Sequence, residues 1–442
     1  MVFWIATAIF ILSYALIVTE KIDKTKIALI GAGSMIILKI VDQYEAFYEE
    51  KYAIDYNVIF LLIGMMIIVN ILSKTGIFQF LAVKSAKIAK GDPFLILIFF
   101  ALITAFLSAM LDNVTTVLLL VPVTLYIADE LGLDPFPFLI TEIMASNIGG
   151  TATLIGDPPN IMIASKVQLT FMDFIYHITP AVFFVFFFFL LTIKFLFGKK
   201  LHVNEEVKQK LLAVDEYSLI KDYSLLKKSL AVLGLVILGF ITHGSLHYEP
   251  ATIAIFGAAV LLIVSKEDPH HALRDLEWPT IFFFMGLFII VGGVVKVGLI
   301  SKLSEGMILL TKPNTESMFL TSIATLWFSA FSSAVVDNIP FVASMTPLIM
   351  DTAHTVFPWG LDTKSVVQHP TLMPVWWSLA LGACLGGNAS PVGASANVIT
   401  IGLAGRAGHP ITFKKFLLYG VPITIQTIVI STIYIWLRYY TF

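Results

Sequence analysis

Long apolar runs alternate along the chain with short polar connections, and their lengths predict helices that cross a bilayer. Runs near the roughly 20 residues such a crossing needs cover about 2–19, 26–41, 57–73, 173–197, 229–243, 250–265, 279–296 and 416–437. The first of them, VFWIATAIFILSYALIV, lacks a basic leading segment and an A-x-A-like cleavage site before Glu20 and Lys21, so it reads as a retained span. Two further regions, 94–165 and 316–403, are apolar but broken by Asp, Asn, Gly and Pro. Lipid tolerates free backbone groups only where protein or a water-filled cavity satisfies them, so chemistry is expected at these breaks.

Composition agrees with the pattern. Hydrophobic residues make up 58% of the chain and charged residues 13%, with 36 Phe and a mean hydropathy of +0.89. A soluble domain carries roughly a quarter charged residues. The expected surroundings are therefore the lipid bilayer, and no nucleic-acid partner is expected. The single cysteine, Cys384, excludes an intrachain disulfide and a multi-thiolate metal site and reads as a small packing residue.

Charge placement predicts orientation. Lys21, Lys24 and Lys26 follow the first span, 42–56 is acidic, and Lys74, Lys84, Lys87 and Lys90 follow the third. The 198–228 loop holds Lys199, Lys200, Lys208, Lys210, Lys221, Lys227 and Lys228, and later basic loops hold Lys266 with Arg274 and Arg406 with Lys414 and Lys415. Assigned to the cytoplasm, these loops leave both termini extracytoplasmic in a bacterial or archaeal cytoplasmic membrane.

Three blocks repeat in order. IFLLIGMMIIVNILSKTG (59–76) matches IFFFMGLFIIVGGVVKVG (281–298), SAMLDNVTTVLLLVPVT (108–124) matches SAVVDNIPFVASMTPLI (333–349), and GGTATLIGDPPN (149–160) matches GGNASPVGASAN (386–397). One ancestral half used twice, with an odd number of crossings, predicts two inverted repeats, 1–197 and 229–442, joined by a cytoplasmic connector at 198–228. The fold class expected is an all-α polytopic membrane protein of about 10 transmembrane helices plus two re-entrant hairpins, at about 94–129 and 316–351. Broken helices are expected at about 135–165 and 372–403.

The candidate site follows from these interruptions. Asp112 and Asp337 stand at the hairpin tips, and a charge at the bilayer centre costs at least roughly 2.5 kcal/mol. They are expected to bind a cation or carry a proton, with Asn113, Thr115 and Asn338 beside them; helix capping alone is the structural alternative. The broken helices contribute Ser146, Asn147, Gly149, Gly150, Thr151, Gly156, Asp157 and Asn160, then Gly386, Gly387, Asn388, Ser390, Gly393, Ser395 and Asn397. Unwound carbonyls with Asn, Ser and Thr oxygens suit a hard cation such as sodium, and helix N-termini suit an anion. Glu142 and Asp157 are further proton-carrier candidates in the first half only, since they face Leu379 and Ala394. His177 and His243 are read as satisfied histidines, the Phe run at 184–189 as lipid-facing, and 76–90 as an interfacial amphipathic helix.

The blocks LDNVTTVLLLVPVT, EIMASNIGGTATLIGDPPNIMIAS, VDNIPFVASMTPLI and ALGACLGGNASPVGASANVI resemble the ArsB/NhaD family, closest to the branch containing the melanosomal P protein. More distantly the chain is similar to divalent-anion:sodium symporters and citrate transporters of the ion transporter superfamily. The resemblance implies a homodimer in which a scaffold holds a transport domain that moves as an elevator. It also implies that Asp112-Asn113-Val114 and Asp337-Asn338-Ile339 stand where the symporters carry Ser-Asn-Thr. Loss of those hydroxyls and gain of two carboxylates disfavours a dicarboxylate and favours sodium at Asp112, Asn113, Asp337 and Asn338. The leading expectation is sodium/proton antiport, with no cofactor beyond Na+ or H+ as coupling ion. Alternatives are coupled transport of a small anion or oxyacid such as arsenite, and a passive anion channel; no enzyme motif is evident.

Overall fold

Asp residues open many of the helices, each accepting from first-turn amides: Asp23, Asp55, Asp92, Asp112 and Asp222 all cap in this way. The computed structural model describes residues 1–19, 21–49, 52–198, 201, 203, 205–357 and 362–441, and Glu20, Lys199 and Lys200 lie outside them. Among the described residues the chain is helical, without a strand.

The first half supplies α1 (Val2–Thr19), α2 (Lys24–Ile37), α3 (Tyr56–Ser73), α4 (Ile77–Ile88), α5 (Pro93–Met110), α6 (Asn113–Glu130), α7 (Phe136–Thr151), α8 (Pro158–Val167) and α9 (Thr179–Phe197). The second supplies α10 (Tyr223–Leu246), α11 (Pro250–Ser265), α12 (Trp278–Lys296), α13 (Leu299–Thr311), α14 (Phe319–Val335), α15 (Asn338–Val356), α16 (Met373–Gly386), α17 (Ser395–Arg406) and α18 (Phe413–Tyr439). Among the described residues eight helices are long and apolar enough to cross a membrane: α1, α3, α5, α6, α9, α10, α12 and α18. Both arms of the first predicted hairpin, α5 and α6, belong to that set, whereas α11 and α14 are shorter apolar helices. The chain is thus a multi-pass membrane protein.

Contacts between the halves occur in matched pairs. Helix α2 packs on α12, and α11 packs on α3. At one crossing a Cβ added to Gly64 would come 2.6 Å from the Ala254 backbone, and at the other a Cβ on Gly286 would come 2.7 Å from that of Ala28. Close approach through small residues is how helices associate in lipid, where hydrophobic burial supplies little drive. Ion pairs repeat the pattern: Lys74 at the end of α3 reaches Glu267, and Lys296 at the end of α12 reaches Glu45 at 2.5 Å.

The interrupted segments pack in two ways. Within each half, the first hairpin arm lies on the first arm of the broken helix, α5 on α7 and α14 on α16. Between halves, the second hairpin arm lies on the other broken helix's second arm, α6 on α17 and α15 on α8. Each tip is therefore carried to the opposite half's break.

The remaining polar groups are mostly satisfied. His243 Nε2 accepts from the Phe171 amide at 3.1 Å, and His177 stacks on Trp377 and shares a 2.7 Å hydrogen bond with the Tyr439 hydroxyl. Within the Phe run, Phe184, Phe187 and Phe188 are exposed and Phe189 is buried. The connector is pinned to α4, since Glu216 accepts from Lys87 and from Lys84, the latter at 3.2 Å, and the Lys221 amide donates to the Thr75 carbonyl at 2.9 Å.

The Lys87 ammonium, with Lys84, holds the Glu216 carboxyl down to about 2. A carboxylate lowered on folding stabilises fully above its ordinary value of 4.5 and loses that contribution as pH falls through about 2. Glu216→Gln should accordingly speed protease cleavage of the connector about twofold at pH 7. Limited proteolysis with unchanged cleavage would remove the docking role.

Candidate ion-binding site

Each hairpin tip is a helix start whose capping carboxylate cannot point into lipid. At the first tip, Asp112 accepts from the Thr115 amide at 2.8 Å and from its hydroxyl. Asn113 donates to Asn147 Oδ1 at 3.3 Å, and the Ser146 hydroxyl donates to the Asn113 carbonyl at 3.2 Å. At the second tip, Asp337 accepts from the Ile339 amide at 3.1 Å, and Asn338 Nδ2 donates to the Asp157 carboxylate at 3.2 and 3.3 Å. Asp337 also accepts from Lys24 Nζ at 2.7 Å and from the Ser395 hydroxyl at 2.8 Å.

The breaks hold themselves open with amides. Asn160 Nδ2 donates to the carbonyls of Gly150, Thr151 and Thr153, and Asn397 Nδ2 donates to those of Gly387 and Ser390. Asn147 Nδ2 then bridges the halves, donating to Asn388 Oδ1 at 2.8 Å and Asn397 Oδ1 at 2.9 Å. Thr151 donates back to the Asn147 carbonyl. Asn160 and Asn397 therefore satisfy unwound carbonyls, a supporting task distinct from the ligand role expected for them. Asn388 Nδ2 and Ser390 Oγ are buried without a partner.

Between the tips lies a small cavity with room for about one water-sized occupant, lined by Asp112, Asn113, Asp157, Glu277, Asn338 and Ser395, with Leu62 and Met66 of α3 as an apolar wall. Asp112, Asp157 and Asn338 are buried. Three carboxylates on one small cavity create a field that draws cations and repels anions. Among the described residues no three His, Cys, Asp or Glu side chains converge closely enough to hold a metal ion alone. The amide and hydroxyl oxygens of Asn113, Asn338 and Ser395 beside the carboxylates make up the kind of donor set that suits a hard ion.

Sequence grouping and geometry part company at several residues. Glu142 is buried on α7 but accepts from Thr124 at 2.6 Å, packed beside Phe100, Ile103 and Leu120 away from that cavity, with Oε2 unpartnered among the described residues. Gly149 and Gly386 lie against the backbones of Ala105 and Ala330, and Gly150 and Gly387 against Gly156 and Gly393, so these glycines serve close packing. Asp337 does not line the cavity that holds Asp112, Asn113 and Asn338, because Lys24 occupies its outer oxygen.

Sequence reasoning missed Lys24, Glu277 and Thr280. Lys24 was read only as a topology charge, and its position at the α2 start gives no hint of Asp337. Glu277 had a signal: it stands against Asp55 at the spacing that pairs Lys74 with Lys296, and both precede matched helices.

Known proteins are similar to this chain in sequence and in fold. The sequence model of the CitMHS family, described as a citrate transporter, matches residues 14–382. An uncharacterised transporter of Mycobacterium tuberculosis is 43% identical over 436 residues, covering 99% of this chain and 98% of that protein. The P protein of Homo sapiens is 32% identical over 506 residues, covering 98% of this chain and 59% of its own length. Among solved structures, MtrF of Neisseria gonorrhoeae, described as an antimetabolite efflux pump, superposes with a TM-score of 0.57 at 10% identity over 93% of this chain and 85% of its own. The YdaH transporter of Alcanivorax borkumensis gives 0.54 at 12% identity over 85% and 84%. At such identities these two share the fold alone.

Proposed function

The chain belongs to the CitMHS citrate transporter family of the ion transporter superfamily, and from that premise we propose that it exchanges sodium for protons at the cavity between its hairpin tips. The carrying observation is the charge of that cavity: Asp112, Asp157 and Glu277 line it together with the Asn113 and Asn338 amides. A citrate or other carboxylate brought there would meet the like charge of three carboxylates, with Lys24 held at Ser395 as the cation beside them, whereas a sodium ion or a proton neutralises them. Ionised Asp112 and Asp157 hold sodium with Asn oxygens completing the shell, and protonation releases it.

The hairpins and broken helices, α5 to α8 with α14 to α17, form the moving unit, and α1 to α3 with α10 to α12 form the scaffold. Two copies assemble as a homodimer, each repeat inserted with opposite topology, in a bacterial cytoplasmic membrane with both termini outside. The unit carries the cavity from one face to the other as an elevator.

The test is sodium addition to proteoliposomes that trap a pH-sensitive dye. Sodium-driven proton movement that scales with protein content supports antiport. Uptake of labelled citrate or arsenite without any sodium-driven proton movement overturns it.

A further inference from the structure

The two tips match in sequence but differ in their partners. Asp112 bonds to Thr115 at the start of its own helix, whereas Asp337 is bonded to Lys24 Nζ at 2.7 Å and Ser395 Oγ at 2.8 Å, and Lys24 also donates to Ser395 at 2.6 Å. Lys24 Nζ lies 4.9 Å from the centre of the buried Phe283 ring, a second favourable cation contact. Lys24 opens α2, which packs on α1 and α12, while Asp337 and Ser395 open α15 and α17. The ion pair therefore joins a tip and a broken helix to a helix outside both. No equivalent bridges Asp112: where the first half carries Lys24, the matched start of the second half, opening α11, carries Glu249 and Pro250.

We propose that the Lys24 ammonium is a tethered cation that occupies the Asp337 tip and must be displaced when the transported cation binds there. This inference rests on the cation-exchange reading of the same cavity. Lys24 bound to Asp337 compensates the second tip's carboxylate in the empty carrier. A sodium ion entering the cavity reaches Ser395, which lines it, competes with Lys24 for that hydroxyl and through it loosens the Lys24 bond to Asp337, freeing α2 from α15 and α17. Displacement thus couples occupancy to release of the bridge, and re-forming the bridge speeds sodium departure on the face where Lys24 meets Asp337. The ionisable groups facing the pair are Asp337 at the α15 start, Glu277 at the α12 start, Asp112 on the first tip and Asp157 before α8; Asn338 and Ser395 complete the surroundings.

A competitor weakens apparent affinity, so removing it must strengthen sodium binding. In proteoliposomes Lys24→Gln should lower the sodium KM about three- to fivefold, the size expected for a partly exposed ion pair, and lower kcat because release slows. Lys24→Arg, which keeps the charge, should stay near the wild-type KM. In detergent, the sodium concentration that half-protects Lys24→Gln against heat should fall by the same factor, which reads binding without transport. A KM and half-protection concentration unchanged or raised in folded Lys24→Gln overturns the tether. Failure of the wild type to move protons with sodium would instead overturn the antiport reading itself.

Discussion

Asp157→Asn should abolish sodium-driven proton movement while leaving the protein folded. Asp157 is the only carboxylate that either break contributes, because Ala394 stands at the matched position in the second half. Its carboxylate accepts from Asn338 at 3.2 and 3.3 Å and lines the same cavity as Asp112 and Glu277. The amide keeps the shape and an oxygen for Asn338, so tip and break stay joined; what is lost is one negative charge. At about 4 Å and an effective dielectric near 20, that charge is worth about 4 kcal/mol to a monovalent cation, on the order of a thousandfold in occupancy. Proton coupling goes with it, since an amide cannot exchange a proton in the working pH range. Dye dequenching in proteoliposomes checks the loss and a thermal melt checks the fold. Retained sodium-driven exchange in a folded Asp157→Asn protein would remove Asp157 from the site. Asp112→Asn should fall by a comparable factor, because Thr115 can still donate to its remaining carbonyl oxygen.

Much of this arrangement was legible because interruptions in an apolar chain are costly and therefore localised. The interruption expected at about 94–129 is α5 and α6, which break at Leu111 and Asp112, and that expected at about 316–351 is α14 and α15, which break at Val336 and Asp337. The broken helices part at 152–157 and at 390–394, inside the ranges that the Gly and Pro residues marked. What escaped was the third dimension. Lys24 and Glu277 belong to uninterrupted helix starts and reach the site only because α2 packs on α12 beside the second tip. Glu142 is the converse case. The sequence offers it beside Asp157 as a proton-carrier candidate, but its side chain turns to Thr124 on α6, away from the cavity that Asp157 lines. Sequence period locates a residue on a helix; it does not say which neighbour covers that face.

Gly156→Ala should destabilise the protein and cut exchange together. An added Cβ would stand 2.5 Å from the Gly150 carbonyl oxygen and 2.5 Å from that of Ser108, both backbone atoms that cannot swing aside. Either the break must open or α5 must shift off α7, and overpacking of this kind costs about 1 to 3 kcal/mol. The same crowding recurs at Gly393, where Gly387 and Ser333 carbonyl oxygens stand 2.6 and 2.7 Å from the added carbon, so Gly393→Ala should behave alike. Gly402 is the discriminating control. It lies inside α17 with nothing within 4 Å of an added Cβ, and Ala there should be neutral or stabilising by up to about 1 kcal/mol through helix propensity. In detergent melts, Gly156→Ala and Gly393→Ala should fall several degrees below wild type, and exchange should drop more than tenfold because Asp157 directly follows Gly156 and moves with it. A Gly156→Ala protein that melts like Gly402→Ala would mean that the break is slack, and a slack break could not hold Asp157 against Asn338.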